Sequence, residues 1–187
     1  MSSEVNDRAD AVQKNNVKAE ILDWTKHIAI ALVIAFILAR FVIVNANIPT
    51  SSMEPTIMVN DRIIAGRLNY MFSEPKRGDI VVFKYPDDES VLFVKRIIGL
   101  PGDTVSISKG SVYINDQKLD EPYLTTTIVG NFGPYTVPEG SYFMMGDNRN
   151  NSKDSRYWNN TFVKKDKILG KALFKYYPIQ DFKLFGK

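Results

Sequence analysis

Hydrophobic positions along the chain fall into two regimes. Residues 27–44, HIAIALVIAFILARFVIV, are apolar around every helical face except at Arg40. From about Asn47 onward the apolar residues come in short runs. These are RIIAG at 62–66, DIVVFKY at 79–85, VLFVKRIIGL at 91–100, TVSIS at 104–108, SVYIN at 111–115, YFMMG at 142–146 and ALFKYY at 172–177. They are rich in β-branched and aromatic residues and end on Gly, Pro, Asp or Asn, which is strand and turn chemistry. LPGD at 100–103 predicts a tight turn. LNYMFSE at 68–74 predicts a short helix stopped by Pro75. The second regime therefore predicts a mainly β, antiparallel, barrel-like domain over 47–187.

The first regime predicts a single transmembrane helix over 27–46. About 17 to 19 apolar residues at 1.5 Å each give roughly 27 Å, close to the hydrocarbon core of a bilayer. A buried helix of a soluble protein would carry a polar stripe, and this one has none. Arg40 lies near the outer end, where its stem reaches the headgroups. A cleaved secretory signal is a poorer reading, because the apolar run is long and no clear A-x-A site follows in NANIPTSS. Lys14, Lys18 and Lys26 lie before the run, and after Arg40 no Lys or Arg occurs until Arg62. The positive-inside rule then leaves residues 1–26 as a cytoplasmic tail and exports the β domain. Residues 1–17 are polar and read as disordered.

Composition narrows the chemistry. The 187 residues are 44% hydrophobic and 24% charged, so most of the chain should fold. The net charge of +3, with no dense basic block, argues against nucleic acid as the main partner. Cysteine is absent, which removes disulfides, thiolate metal sites and Cys nucleophiles. The single histidine, His27, stands at the cytoplasmic edge of the expected span. It cannot serve as a base in the exported domain. No metal or organic cofactor is expected.

Serine, threonine, lysine and carboxylates remain as candidate catalytic groups. Ile48-Pro-Thr-Ser-Ser-Met-Glu-Pro-Thr56 places Pro49 and Pro55 around a Thr-Ser-Ser-Met core, and both prolines restrict the backbone. Such a segment is also an ordinary juxtamembrane linker. In Val91–Ile98, period-two alternation puts Lys95 on one face with Phe93 and Ile97, and Arg96 on the other with Val94 and Ile98. A lysine among large apolar residues has its pKa lowered by desolvation. To act as a base near neutrality it must fall from about 10.4 by roughly 2 units, about 3 kcal/mol. An edge-strand lysine facing water is the alternative. Residues 143–156, FMMGDNRNNSKDSR, form a strand running into a polar loop with more organisation than a turn needs. Ser152 is placed to aim a neutral lysine, and Asp154 and Arg156 to pair.

Taken together, IPTSSMEPT at 48–56, RGDIVVFKYP at 77–86, VKRIIGLPGD at 94–103, YINDQKLDEPYL at 113–124 and MGDNRNNSKDSRYW at 145–158 resemble the bacterial type I signal peptidase family. The blocks stand in the family's order and span nearly all of the exported domain. The pattern is that of the compact, single-span form common in Gram-positive bacteria. The resemblance implies a Ser/Lys dyad endopeptidase, cleaving signal peptides after a small residue through an acyl-enzyme. It implies Ser52 as nucleophile and Lys95 as base. Thr50, with the Ser52 N–H, is implied as oxyanion donor, and Ser152 as the hydroxyl that orients the lysine. Asp147, Arg149, Asp154 and Arg156 match structural positions. Position 51 is Ser where many members carry Gly. The implied partners are signal peptides of secretory preproteins, the lipid bilayer and the nearby secretion translocon. The implied location is the cell membrane, with one pass and the catalytic domain outside.

Ser52 follows the expected span by about six to eight residues, so at no more than about 3.5 Å per residue it stays near the outer membrane surface. Met58, Met71 and Phe72 are candidates for dipping into lipid, with a place in the core as the alternative. Two rival functions are a self-cleaving Ser/Lys regulator and a membrane-anchored β module without catalysis. The first would carry a DNA-binding domain in place of the span. The second would have lost Ser52 or Lys95.

Overall fold

The structure is a computed structural model that describes residue 20 and residues 22–185. The expected disordered tail, with Lys14 and Lys18, lies outside the described residues, as does the side chain of Arg40. Helix α1 covers 22–37. It passes into a π-helical turn, Leu38–Val42, and then into strand β1, Ile43–Asn47. The expected helix through residue 46 is thus corrected at its end. β1 pairs antiparallel with β2, Arg62–Gly66, along its whole length, from Ile43 opposite Gly66 to Asn47 opposite Arg62. Ile43 and Val44 are β-branched, and Asn45 and Asn47 are weak helix formers. Val44 is buried in a core cluster with Ile48, Ile63 and Ala65. Among the described residues no helix is long and apolar enough to cross a membrane.

The remaining elements are α2 (Asn69–Phe72), β3 (Ile80–Tyr85), β4 (Asp88–Gly99), β5 (Thr104–Ser108), β6 (Ser111–Ile114), β7 (Gln117–Lys118), β8 (Phe132–Thr136), β9 (Ser141–Met145), β10 (Val163–Lys164), β11 (Ile168–Tyr177) and β12 (Lys183–Leu184). They form two sheets. The larger runs β1-β2-β11-β3-β4-β9-β10, with β12 also on β11. The smaller runs β7-β6-β5-β8. The pairings are antiparallel, as expected. The expected barrel does not close: β1 and β10 are the two ends of an open order. β10 is a two-residue edge, too short to carry a ladder across, and the chain after β4 feeds the second sheet instead. Register shifts in the β11–β3, β3–β4 and β4–β9 pairs mark where the large sheet bends.

Three clusters fill the interior. One packs Ile48, Met53 and Ile57 against β2 and β3. A second lies between the sheets around Val105, Val112 and Phe143. The third is aromatic, with Phe83, Tyr85, Phe93 and Trp158 in mutual ring contact. The first matters most for chemistry, because Met53, 1% exposed, anchors the turn that follows Thr50.

Candidate active site

Ser51–Met53 form one 3₁₀ turn, entered from an extended Thr50. Its N–H groups, that of Ser52 among them, have no partner within the turn, as at any helix start. Met53 is buried in the core, and Ser52, 9% exposed, lines a cleft. Thr50 Oγ1 lies 3.3 Å from Ser52 Oγ. Lys95 comes from the middle of β4, opposite Val81 of β3. Its Nζ is 2.5 Å from Ser52 Oγ. As the alternation along β4 requires, Lys95 and Phe93 share a face, with the ammonium 5.2 Å from the ring centroid.

Lys95 is 4% exposed. Burial lowers its pKa from 10.5 to about 8, against the opposing pull of the Asp154 and Asp147 charges. The structure therefore places this lysine in the buried setting and not at a wet sheet edge. Ser52 and Lys95 line a cleft of about 500 Å³ together with Ile48, Val91, Phe93 and Val94. Among the described residues no cluster of His, Asp and Glu is spaced to hold a metal ion.

The loop after β9 holds this pair in place. Asp147 receives two hydrogen bonds from Arg96, at 2.8 and 2.6 Å. Arg96 is next to Lys95 and points to the opposite face, stacking 3.8 Å from the centroid of Tyr123. Asp154 accepts from Arg156 Nε and Nη2, at 2.8 and 2.9 Å, and from Gly146 N at 3.1 Å. Arg149, fully buried, donates to Gly146 O at 3.0 Å and forks onto Glu121. The loop reaches the nucleophile turn through Asn148, whose N–H meets Ser52 O at 3.1 Å. Asp147, Arg149, Asp154 and Arg156 are thus brought together as two buried ion pairs and a fork around Gly146.

Ser152 behaves differently from the expectation. Its Oγ is buried without a hydrogen-bond partner, so the bond to Lys95 is not formed. Ser152 is packed instead against Gly146: a Cβ added there would lie 2.7 Å from Ser152 Cβ and would also overlap the Ser52 carbonyl. Gly146 therefore lets the loop and the nucleophile turn approach closely. Position 51 is accommodated as well, since Ser51 Oγ accepts a hydrogen bond from Asn151 Nδ2 at 3.0 Å.

Sequence reading assigned no role to Glu121, Tyr123, Asn148 or Asn151. Glu121 and Arg149 stand 28 positions apart, and nothing local marks them as a pair. Met58, Met71 and Phe72 are 45%, 70% and 86% exposed, so none of them is core. His27 bonds within its own helix, its Nδ1 2.8 Å from Asp23 O.

Comparison with known proteins agrees with this geometry. Residues 21–177 match the family described as signal peptidase, peptidase S26. The chain is 43% identical over 163 residues to the probable signal peptidase I-2 of Synechocystis, covering 84% of this chain and 74% of that protein. It is 37% identical over 177 residues to signal peptidase I of Leptolyngbya laminosa, covering 90% and 86%. It is 41% identical over 175 residues to signal peptidase I S of Bacillus subtilis, covering 88% and 93%. With its match to the family model covering most of its length, and serine and lysine meeting at the cleft wall, this chain belongs to the signal peptidase family, peptidase S26, and is a serine endopeptidase.

Proposed function

We propose that the chain is a membrane-anchored endopeptidase that removes signal peptides from exported preproteins, using Ser52 and Lys95. The observation that carries this reading is the 2.5 Å approach of Lys95 Nζ to Ser52 Oγ, with the lysine buried in an apolar cleft. Neutral Lys95 accepts the Ser52 proton as Oγ attacks the carbonyl after a small residue. Thr50 Oγ1 and the Ser52 N–H donate to the oxyanion, each such donor being worth about 3 kcal/mol when aimed at the developing charge. The resulting ammonium protonates the leaving amine. Neutral lysine then activates a water that releases the acyl group. The intact dyad opposes a binding module without catalysis.

The same reading assigns a bilayer to the N-terminal segment. Ile28, Leu32, Val33, Phe36 and Phe41 are all largely exposed, and a face of that kind needs an apolar surrounding. Residues 22–42, helix plus π turn, reach about 30 Å. The exposed Met71 and Phe72 suit contact with lipid. The N-terminus would be cytoplasmic and the β domain extracytoplasmic, near the translocon that delivers the substrate.

Cleavage of a secretory preprotein by the purified full chain tests the first part. Ser52→Ala and Lys95→Ala should each lose about 10³-fold or more in rate. Wild-type turnover by either variant sinks the dyad. Carbonate extraction of membranes tests the second part. The chain should stay in the pellet, and release into the supernatant counts against a spanning anchor.

A further inference from the structure

The cleft is apolar, but its lining carries two lysines, Lys95 and Lys153, and neither Asp nor Glu. The two play different parts. Lys95 must be neutral to accept a proton from Ser52. Lys153 is exposed and lies outside the Ser52–Lys95 contact. The lining thus holds a second basic side chain besides the one in contact with Ser52.

Among the described residues Lys153 forms no ion pair. Its Nζ lies 5.3 Å from the centroid of the Tyr85 ring. The carboxylate beyond that ring, Asp87, is engaged elsewhere. It accepts from Tyr85 Oη at 2.9 Å and from the N–H groups of Asn159 and Asn160 at 2.9 and 2.7 Å. Asp154, next in sequence, is buried against Arg156. The Lys153 backbone is held between two buried residues, Ser152 and Asp154. That backbone places the side chain in the lining of the cleft.

We infer that Lys153 is a specificity residue that favours substrates carrying an acidic side chain within a few residues of the scissile bond and disfavours basic ones. The inference rests on the reading of Ser52 and Lys95 as the peptide-cleaving pair. An anionic side chain laid along the cleft meets an unpaired cation beside apolar walls, where water screens less than in bulk. A cationic side chain meets repulsion with no carboxylate to relieve it. Lys153 does not touch the reacting atoms. Its effect belongs in the comparison between substrates, and exposed charge pairs of this kind shift affinity by about two- to fivefold.

The test uses the full-length enzyme in neutral detergent and one preprotein with Asp, Asn or Lys placed in turn at each position near the cleavage site. Wild type should show a kcat/KM ratio of Asp to Lys of about two to five at one position or more, declining with added salt. Lys153→Met should bring that ratio to about one, and Lys153→Glu should invert it. An unchanged ratio in Lys153→Met at every position overturns the inference. So does an effect of Lys153→Met that requires anionic lipid vesicles and is the same for all substrates, since that would make the partner a headgroup. A wild-type enzyme that cleaves none of the set overturns the peptidase reading itself, and this inference with it.

Discussion

Asn151 Nδ2 donates to Ser51 Oγ at 3.0 Å, joining segments 100 positions apart. Asn148 adds a bond to Ser51 O at 3.2 Å. The serine that replaces the family's frequent glycine thus has a partner in the loop that supports Lys95. Ser51→Gly and Asn151→Ala should each destabilise the fold, and the two effects should not add. A double-mutant cycle by urea denaturation should give a coupling of about 0.5–1.5 kcal/mol, the net worth of one such bond. Zero coupling would mean that the contact does not hold the turn.

The proposed reaction needs neutral Lys95, whose pKa burial lowers to about 8. Below that value the neutral fraction falls tenfold per pH unit. kcat/KM should therefore rise steeply from pH 5, bend near pH 8 and level off above it. A profile that stays flat from pH 5 to 9 excludes a lysine base.

The same lysine should cost stability. Its folded pKa, about 8, lies below the unfolded 10.5. Below pH 8 both states are protonated and the full penalty of the buried cation is present. Between pH 8 and 10.5 the unfolded chain holds the proton and the folded one does not, so stability rises with pH. Lys95→Met removes the penalty and should stabilise the protein by up to about 3 kcal/mol at pH 7, with the gain shrinking toward zero near pH 10.5. Denaturation curves at several pH values check this. A less stable Lys95→Met protein at pH 7 would show that Lys95 is held as a favourable cation.

Most of the strands could be read from local pattern. TVSIS and RIIAG match β5 and β2 residue for residue, because each is a short run rich in β-branched residues between turn formers. β1 could not, because Ile43 and Val44 continue the apolar run of α1 and only their pairing with β2 decides their form. β8 was hidden by Gly133 and Pro134, which ordinarily argue against a strand. The approach of Lys95 to Ser52 could be anticipated because two short motifs carry these residues and no Cys or usable His competes. The network behind it was only half legible. Asp154 and Arg156 are neighbours in sequence, whereas Glu121, Tyr123 and Asn151 act over long separations that no local pattern records. Ser152 lies beside Gly146, and a bond to Lys95 depends on a side-chain rotation that sequence does not fix.

Gly146 is where the loop and the nucleophile turn come closest. Its φ is not positive, so the requirement is space and not backbone freedom. Gly146→Ala must push apart Ser152 and the Ser52 carbonyl. Overpacking of this kind costs about 1–3 kcal/mol, and a shift of Ser52 by about 1 Å costs roughly 10²-fold in rate. Ser152→Gly in the same chain should recover part of the stability but not the rate, because the backbone carbonyl of Ser52 remains in the way. Full recovery of kcat/KM would assign the clash to Ser152 alone.

Beside the larger pull of Asp154, Asp147 is the second carboxylate whose charge acts on Lys95. Asp147 raises the Lys95 pKa, and its carboxylate is paired to Arg96 in a buried bidentate contact. Asp147→Asn removes a negative charge near the lysine and should move the acid limb of the kcat/KM profile to lower pH. Arg96→Met strips the pairing and leaves Asp147 buried without a partner. It should move the limb to higher pH and destabilise the fold by about 3–5 kcal/mol. The position of the limb does not depend on how much protein is folded, so the two variants separate electrostatic tuning from mere scaffolding. A purely structural role lowers the amplitude of both profiles and leaves the limb where it stands in the wild type, and that outcome would remove Asp147 from the control of Lys95.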